Sequence, residues 1–317
     1  MATIKAAVVQ LSISDLSRYS WSELEKKLIF LFSQGIESGA DLIVFPALTA
    51  LLFSPESRKT IEYGIDAKTN QLVARLGRFW TGEWLDFFTS LAKNHHVQVV
   101  PGTTLEASDR GLLHRGYLVD RDGQVVLTQE QIHFSPLDQE HAFQPGEQIT
   151  TAQTDQATIG LVLGWDAWIP EMGRVLALQG ADLIISLQAV GKFYDYRKQL
   201  LGVWQIAQAN GVFTLESCLV GRAVKFAYQG LTTICGPAAL YPPTGILAHI
   251  DPQLTNLTSL DLGYLISPQK EKEGVLIRNL DLAAAKAFRD TAGLLKLSKA
   301  HWGNTGGDFG DIAEKAH

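Results

Sequence analysis

The side chains of this chain that are able to attack, protonate or polarise a substrate are few and scattered. Cys218 and Cys235 are the two thiols, and each lies in an apolar or small-residue stretch that reads as strand. Buried, reduced core thiols are the expectation there. His133, Asp166 and Glu171 are candidate acid–base groups, and Glu171, directly after Pro170, suits the positive end of a helix's first turn. No Ser-His-Asp order stands out from the eight histidines, and neither a Cys-x-x-Cys pair nor a histidine pair at helical ligand spacing occurs. No metal and no cofactor are expected.

The elements that must position these groups alternate. A strand is predicted near Ile4–Gln10, a helix from Trp21 with Ser20 and Glu23 spaced as a capping box, and a strand over Leu42–Phe45. A helix over Glu83–Lys93 and a strand over Val97–Val100 follow, then a turn at Pro101-Gly102. Tyr117–Val119 and Val125–Leu127 flank the turn-forming Asp120–Gly123 and read as a hairpin. Alternation resumes with the strand Ile159–Leu163, a helix after Pro170, the strand Leu183–Ile185, a long helix over Arg197–Ala209 and the strand Val212–Leu215. Shorter strands are predicted at Thr232–Cys235, Ile246–His249 and Val275–Arg278. Strand–helix alternation in both halves favours an α/β layered fold. The phrase Gly39-Ala40-Asp41-Leu42-Ile43 recurs as Gly180-Ala181-Asp182-Leu183-Ile184, each time at a helix end and a strand start, which suits two similar halves facing each other.

With 46% hydrophobic residues in 317, the chain has ample material for a large core. A formal charge of −6 without a dense Lys or Arg run gives no support for a nucleic-acid surface. The first strand begins without a basic segment, a long apolar stretch and a cleavage site before it, and no apolar run approaches membrane-spanning length. A cytoplasmic protein is the expectation.

Three frames carry a family resemblance. Gly39–Phe45-Pro46 precedes Ala47; Gln131-Ile132-His133-Phe134 is followed by Phe143-Gln144-Pro145-Gly146; and Ile159–Leu163-Gly164-Trp165-Asp166 is followed by Ile169-Pro170-Glu171. Gln205–Asn210 and Pro242–Leu247 then occur in the same order. Over roughly residues 4–290 this resembles the nitrilase, or carbon–nitrogen hydrolase, superfamily. The resemblance implies an αββα sandwich over residues 1–295, two mixed sheets face to face with helices outside, and an extended arm over 296–317 that crosses to a partner subunit. It also implies a homodimer or higher homo-oligomer.

The family places a catalytic glutamate, lysine and cysteine in these three frames, and here Ala47, Gln131 and Gly164 stand in their positions. Without thiolate, carboxylate or ammonium, the usual amide or nitrile hydrolysis lacks nucleophile, base and electrophile. Trp168 stands where many relatives have arginine, and Glu140 has the spacing of a second pocket glutamate. If buried, Glu140 is expected to take a hydrogen bond from Gln131, His133 or a backbone N–H. Trp165, Trp168 and Gln188 are expected to line a pocket enlarged by the truncations, while His133 and Asp166 are expected to support the frames. The resemblance therefore implies a non-hydrolytic protein that assembles with partners, including an active relative, or binds a small amide- or carboxylate-bearing molecule. The alternative is a divergent carbon–nitrogen hydrolase that uses another nucleophile or an activated water.

Overall fold

A computed structural model describes residues 3–14, 19–54, 57–58, 61, 82–109, 111–134, 143–191, 200–223, 227–252 and 271–296. Glu140 and the arm beyond residue 296 lie outside the described residues. The first sheet contains β1 (Thr3–Ser12), β2 (Leu42–Val44), β3 (Gln98–Val100), β4 (Thr103–Ser108), β5 (Gly111–Val119) and β6 (Val125–Glu130). The second contains β7 (Thr151–Gln153), β8 (Thr158–Leu163), β9 (Leu183–Gln188), β10 (Phe213–Arg222), β12 (Thr233–Cys235) and β13 (Ile246–His249), with β11 (Ala227–Tyr228) on the far end of β10. β14 (Gly274–Asp281) returns to pair antiparallel with β1 along Thr3–Gln10. The two sheets are continuous at one point, where Leu11 and Ser12 of β1 pair in parallel with Leu219 and Val220 of β10.

Three apolar layers make this a four-layer αββα sandwich. Between the sheets lie Ile4, Ala6, Val8, Leu42 and Val44 against Leu161, Leu163, Ile185, Leu187 and Leu215. On the outer face of the first sheet, α1 (Trp21–Glu37) buries Leu24, Leu28, Leu31 and Phe32, and the helical residues 82–95, labelled α2, bury Trp84 and Phe88. On the outer face of the second, α3 (Pro170–Leu178) and α4 (Gln205–Asn210) pack through Met172, Leu176 and Ile206. The spacing of these residues is the one-sided apolar stripe that a sheet-covering helix needs. The predicted capping box is present, with Ser20 Oγ accepting from Glu23 N and the Glu23 carboxylate accepting from Ser20 N.

The repeated Gly-Ala-Asp-Leu-Ile phrase has a physical basis. Gly39 and Gly180 both end a helix, and Asp41 and Asp182 do the same work at the head of parallel strand pairs. Asp41 Oδ2 accepts Lys5 N at 2.9 Å beside β1–β2, and Asp182 Oδ2 accepts Thr158 N at 3.2 Å beside β8–β9. An arginine caps each aspartate's other oxygen, Arg121 on Asp41 at 3.0 Å and Arg289 on Asp182 at 3.3 Å. The two sheets therefore begin their parallel cores in the same way.

Several expectations are corrected. Of the helix predicted over Arg197–Ala209, residues 197–199 lie outside the described residues, and the described part is not continuous: it is a wide turn over Leu200–Trp204, broken at Gly202 (φ −97°, ψ −110°) where the Trp168 indole packs against it, and then the short α4. β10 does not stop at Leu215. Its polar residues continue the strand because their groups are satisfied inside, as where Ser217 Oγ donates to Val9 O at 2.6 Å. β4, β7 and the C-terminal helix α5 (Leu282–Ala292), capped by Asp281, are additional elements.

Candidate active site

The sites of Ala47, Gln131 and Gly164 converge where β2, β6 and β8 end. Ala47 follows β2 and is buried. Its neighbour Leu48 adopts a left-handed conformation, φ 61°, and donates its N–H to Thr103 Oγ1 at 2.8 Å. Gly102 makes this approach possible, since a Cβ there would stand 2.0 Å from the Pro46 carbonyl oxygen, and its φ of +100° already favours glycine.

From Thr103 a polar chain runs through the inter-sheet space to Gln131. Thr103 Oγ1 lies 2.6 Å from His114 Nε2, and His114 Nδ1 lies 2.5 Å from Gln131 Oε1. Gln131 Nε2 donates to the His133 carbonyl at 2.6 Å. That carbonyl fixes the amide's orientation, because the flipped form would oppose two oxygens. Gln131 Oε1 is therefore the acceptor, His114 carries its proton on Nδ1, and Thr103 donates to Nε2. Gln131 and His114 are both buried.

Gly164 ends β8 with φ +51° and opens a one-turn 3-10 segment over Gly164–Trp168. A Cβ built on it would meet Gln131 Oε1 at 3.1 Å and Nε2 at 3.3 Å. The Gln131 amide thus stands beside the place into which a side chain at 164 would project. The room expected beside Gly164 is taken up by Gln131. Gly164→Ala is expected to cost about 1–2 kcal/mol, from the left-handed backbone and the close amide together. A urea titration with unchanged slope and a lowered midpoint is the check.

Asp166 locks the two frames to each other. Fully buried, its carboxylate accepts Ile132 N at 3.0 Å, His133 N at 2.7 Å and His133 Nδ1 at 2.9 Å. Burial pushes its carboxyl above the usual range, and the three donors on 132 and 133 pull the other way. The His133 side chain is 40% exposed, so it faces outward from this clamp. Asp166 and His133 are thus brought together, with the carboxylate bridging the two frames.

Gln188, at the end of β9 and buried, donates through Nε2 to Gly164 O at 3.0 Å and to Ser186 Oγ at 2.8 Å. Its Oε1 is buried and has no hydrogen-bond partner among the described residues. Trp165 and Trp168 are half-buried and meet edge to face at 5.0 Å between centroids. Glu171 is exposed in the first turn of α3, beside Pro170 at its start. Cys218 and Cys235 are fully enclosed in β10 and β12; burial, with Glu216 nearby, pushes both thiols up, away from the thiolate. Neither is a relocated nucleophile in this form. Among the described residues no cluster of His, Cys, Asp and Glu could hold a metal ion.

His114 and Thr103 are the residues of this candidate site that the sequence does not single out. The available signal was the alternation His114, Gly116, Leu118 on β5, which places a histidine on the face that meets the second sheet.

This fold and this convergence of three frames agree with the sequence comparisons. The carbon-nitrogen hydrolase family model matches residues 5–290, and the chain belongs to that family. Among curated relatives it is 27% identical over 195 residues to a citrullinase of Francisella tularensis, covering 60% of this chain and 63% of that one. It is 28% identical over 217 residues to an N-carbamoylputrescine amidase of Oryza sativa, covering 66% and 62%. The match therefore spans less than two thirds of these relatives' lengths. A carbon-nitrogen hydrolase of Helicobacter pylori G27 shares the fold with a TM-score of 0.72 at 18% identity, covering 98% of both chains.

Proposed function

We propose that this chain is a non-hydrolytic member of the carbon-nitrogen hydrolase family that works through association, as a regulatory or assembly subunit. The observation that carries the reading is the seat of Gln131. A neutral amide, held by His114 and by the His133 carbonyl, abuts the one position from which a nucleophile would project, and that position is Gly164. Neither a thiolate nor a carboxylate nor an ammonium is supplied by positions 164, 47 and 131. Once the nucleophile is absent, the remaining catalytic groups have little effect on turnover, so their joint replacement is the expected pattern.

A second reading rests on Gln188. A buried carbonyl oxygen without a donor, on a side chain bonded to Gly164 O, suits a small ligand that offers an N–H, such as an amide. Light scattering combined with affinity capture from the native host separates the two. A defined oligomer, or co-purification with another chain of this family, supports the subunit reading. A monomer without partners that binds a small amide saturably, and loses it in Gln188→Leu, supports the ligand reading and overturns the first.

A further inference from the structure

The helical layer outside the first sheet carries a cavity that the Gly164 site does not use. It measures about 570 Å³, within the range of small-molecule sites. Its walls are Trp21 at the start of α1, Phe53 from the 3-10 turn after β2, and Glu83, Asp86, Phe87 and Leu91 of α2. Phe53 belongs to the apolar layer outside the first sheet, whereas Ala47 belongs to the layer between the sheets. The first sheet therefore stands between the two places.

Three aromatic rings meet in this cavity as a corner and not as a stack. The Trp21 ring centroid lies 4.6 Å from that of Phe53 and 6.5 Å from that of Phe87, Phe53 lies 5.5 Å from Phe87, and the planes are inclined by 53°, 74° and 66°. A single cation seated in the corner is within the roughly 6 Å reach of all three rings. The indole is 39% exposed, so its surface is open to a ligand. Charge at the rim has one sign. Glu83 and Asp86 are exposed, stand three apart on α2 and share the cavity-facing side of that helix with Phe87. No Lys, Arg or His lines the cavity among the described residues. Lys27 of α1 is engaged by Glu273 at 2.8 Å and by Ser12 O at 2.7 Å. Its ammonium lies 5.3 Å from the Tyr19 ring centroid, a contact of the same kind two residues from Trp21.

We propose that this cavity binds a small methylated ammonium, with Trp21, Phe53 and Phe87 around the methyl groups and Glu83 and Asp86 drawing the charge in from the rim. Ring faces attract positive charge but hold no row of hydrogen-bond acceptors. A cation whose N–H groups are replaced by methyls therefore loses less hydration on entering than a primary ammonium does.

Titration calorimetry on the full chain tests this with three probes: choline, its uncharged isostere 3,3-dimethyl-1-butanol, and n-butylammonium. Choline is expected to bind saturably, and each of the other two at least tenfold more weakly. Trp21→Leu, which keeps an apolar side chain and removes the indole, weakens choline binding at least tenfold. Glu83→Gln combined with Asp86→Asn, both at exposed positions that leave the core untouched, weakens it about threefold and flattens its dependence on salt. Absence of saturable choline binding, equal affinity for either of the other probes, or unchanged choline affinity in either variant overturns the proposal.

Discussion

Gln131→Lys, which places at this position the cation that the family resemblance leads one to expect, is expected to destabilise this protein by about 3–5 kcal/mol. The reason lies in what faces the side chain. Gln131 is 4% exposed, and its Oε1 accepts the proton on His114 Nδ1. An ammonium is all donor: it keeps the bond to the His133 carbonyl but points charge at an N–H. Ala47, across the Thr103–His114 chain, offers no carboxylate in return. Adding Ala47→Glu is therefore expected to recover at least about 1 kcal/mol, read as the coupling term of a double-mutant cycle. Denaturant unfolding of the four proteins gives that term. A Gln131→Lys variant as stable as the parent would show that position 131 is already wet or paired with another carboxylate, and would remove the account of the three replacements as mutually adjusted.

Asp166→Ala is the second large effect, about 3 kcal/mol, because it leaves two backbone N–H groups and the His133 ring without their acceptor. The carboxylate is the link between the loop that carries Gln131 and the turn that opens at Gly164, so its loss should also be local. Amide exchange at Ile132 and His133 is expected to quicken far more than exchange in β8, whereas a uniform change across the molecule would assign Asp166 to global stability alone. Asp166→Asn keeps one acceptor oxygen and is expected to fall between the parent and the alanine variant.

Much of this fold is legible in the sequence, for identifiable reasons. The Gly-Ala-Asp-Leu-Ile phrase could be read twice because each of its positions has a local duty: a helix end, an aspartate on a strand head, then two core residues. Ala47, Gln131 and Gly164 were placed by the frames around them. The polar chain that joins them was not legible, since it depends on Thr103 and His114 meeting across β4 and β5, and Thr103–Ser108 lacks the apolar alternation that marks a strand. The closure of the site by Gln131 was hidden for a similar reason: it depends on the direction of one side chain, which no spacing encodes. β10 ran past its expected end because Glu216 and Ser217 look like a strand terminus in one dimension and are buried in three. Gly202 interrupts the predicted helix where Trp168 packs, a long-range contact between residues 34 positions apart.

The central claim, that the chain keeps the family's fold without its hydrolytic chemistry, is tested most directly by ammonia release. Purified protein is incubated with a panel of primary amides and N-carbamoyl amines, the classes that the relatives' names suggest. Loss of a nucleophile alone lowers turnover on the order of a millionfold, so release indistinguishable from the protein-free rate is the predicted result. Sustained release that disappears in Gln131→Ala prepared in the same way would place the activity in this chain and contradict the account.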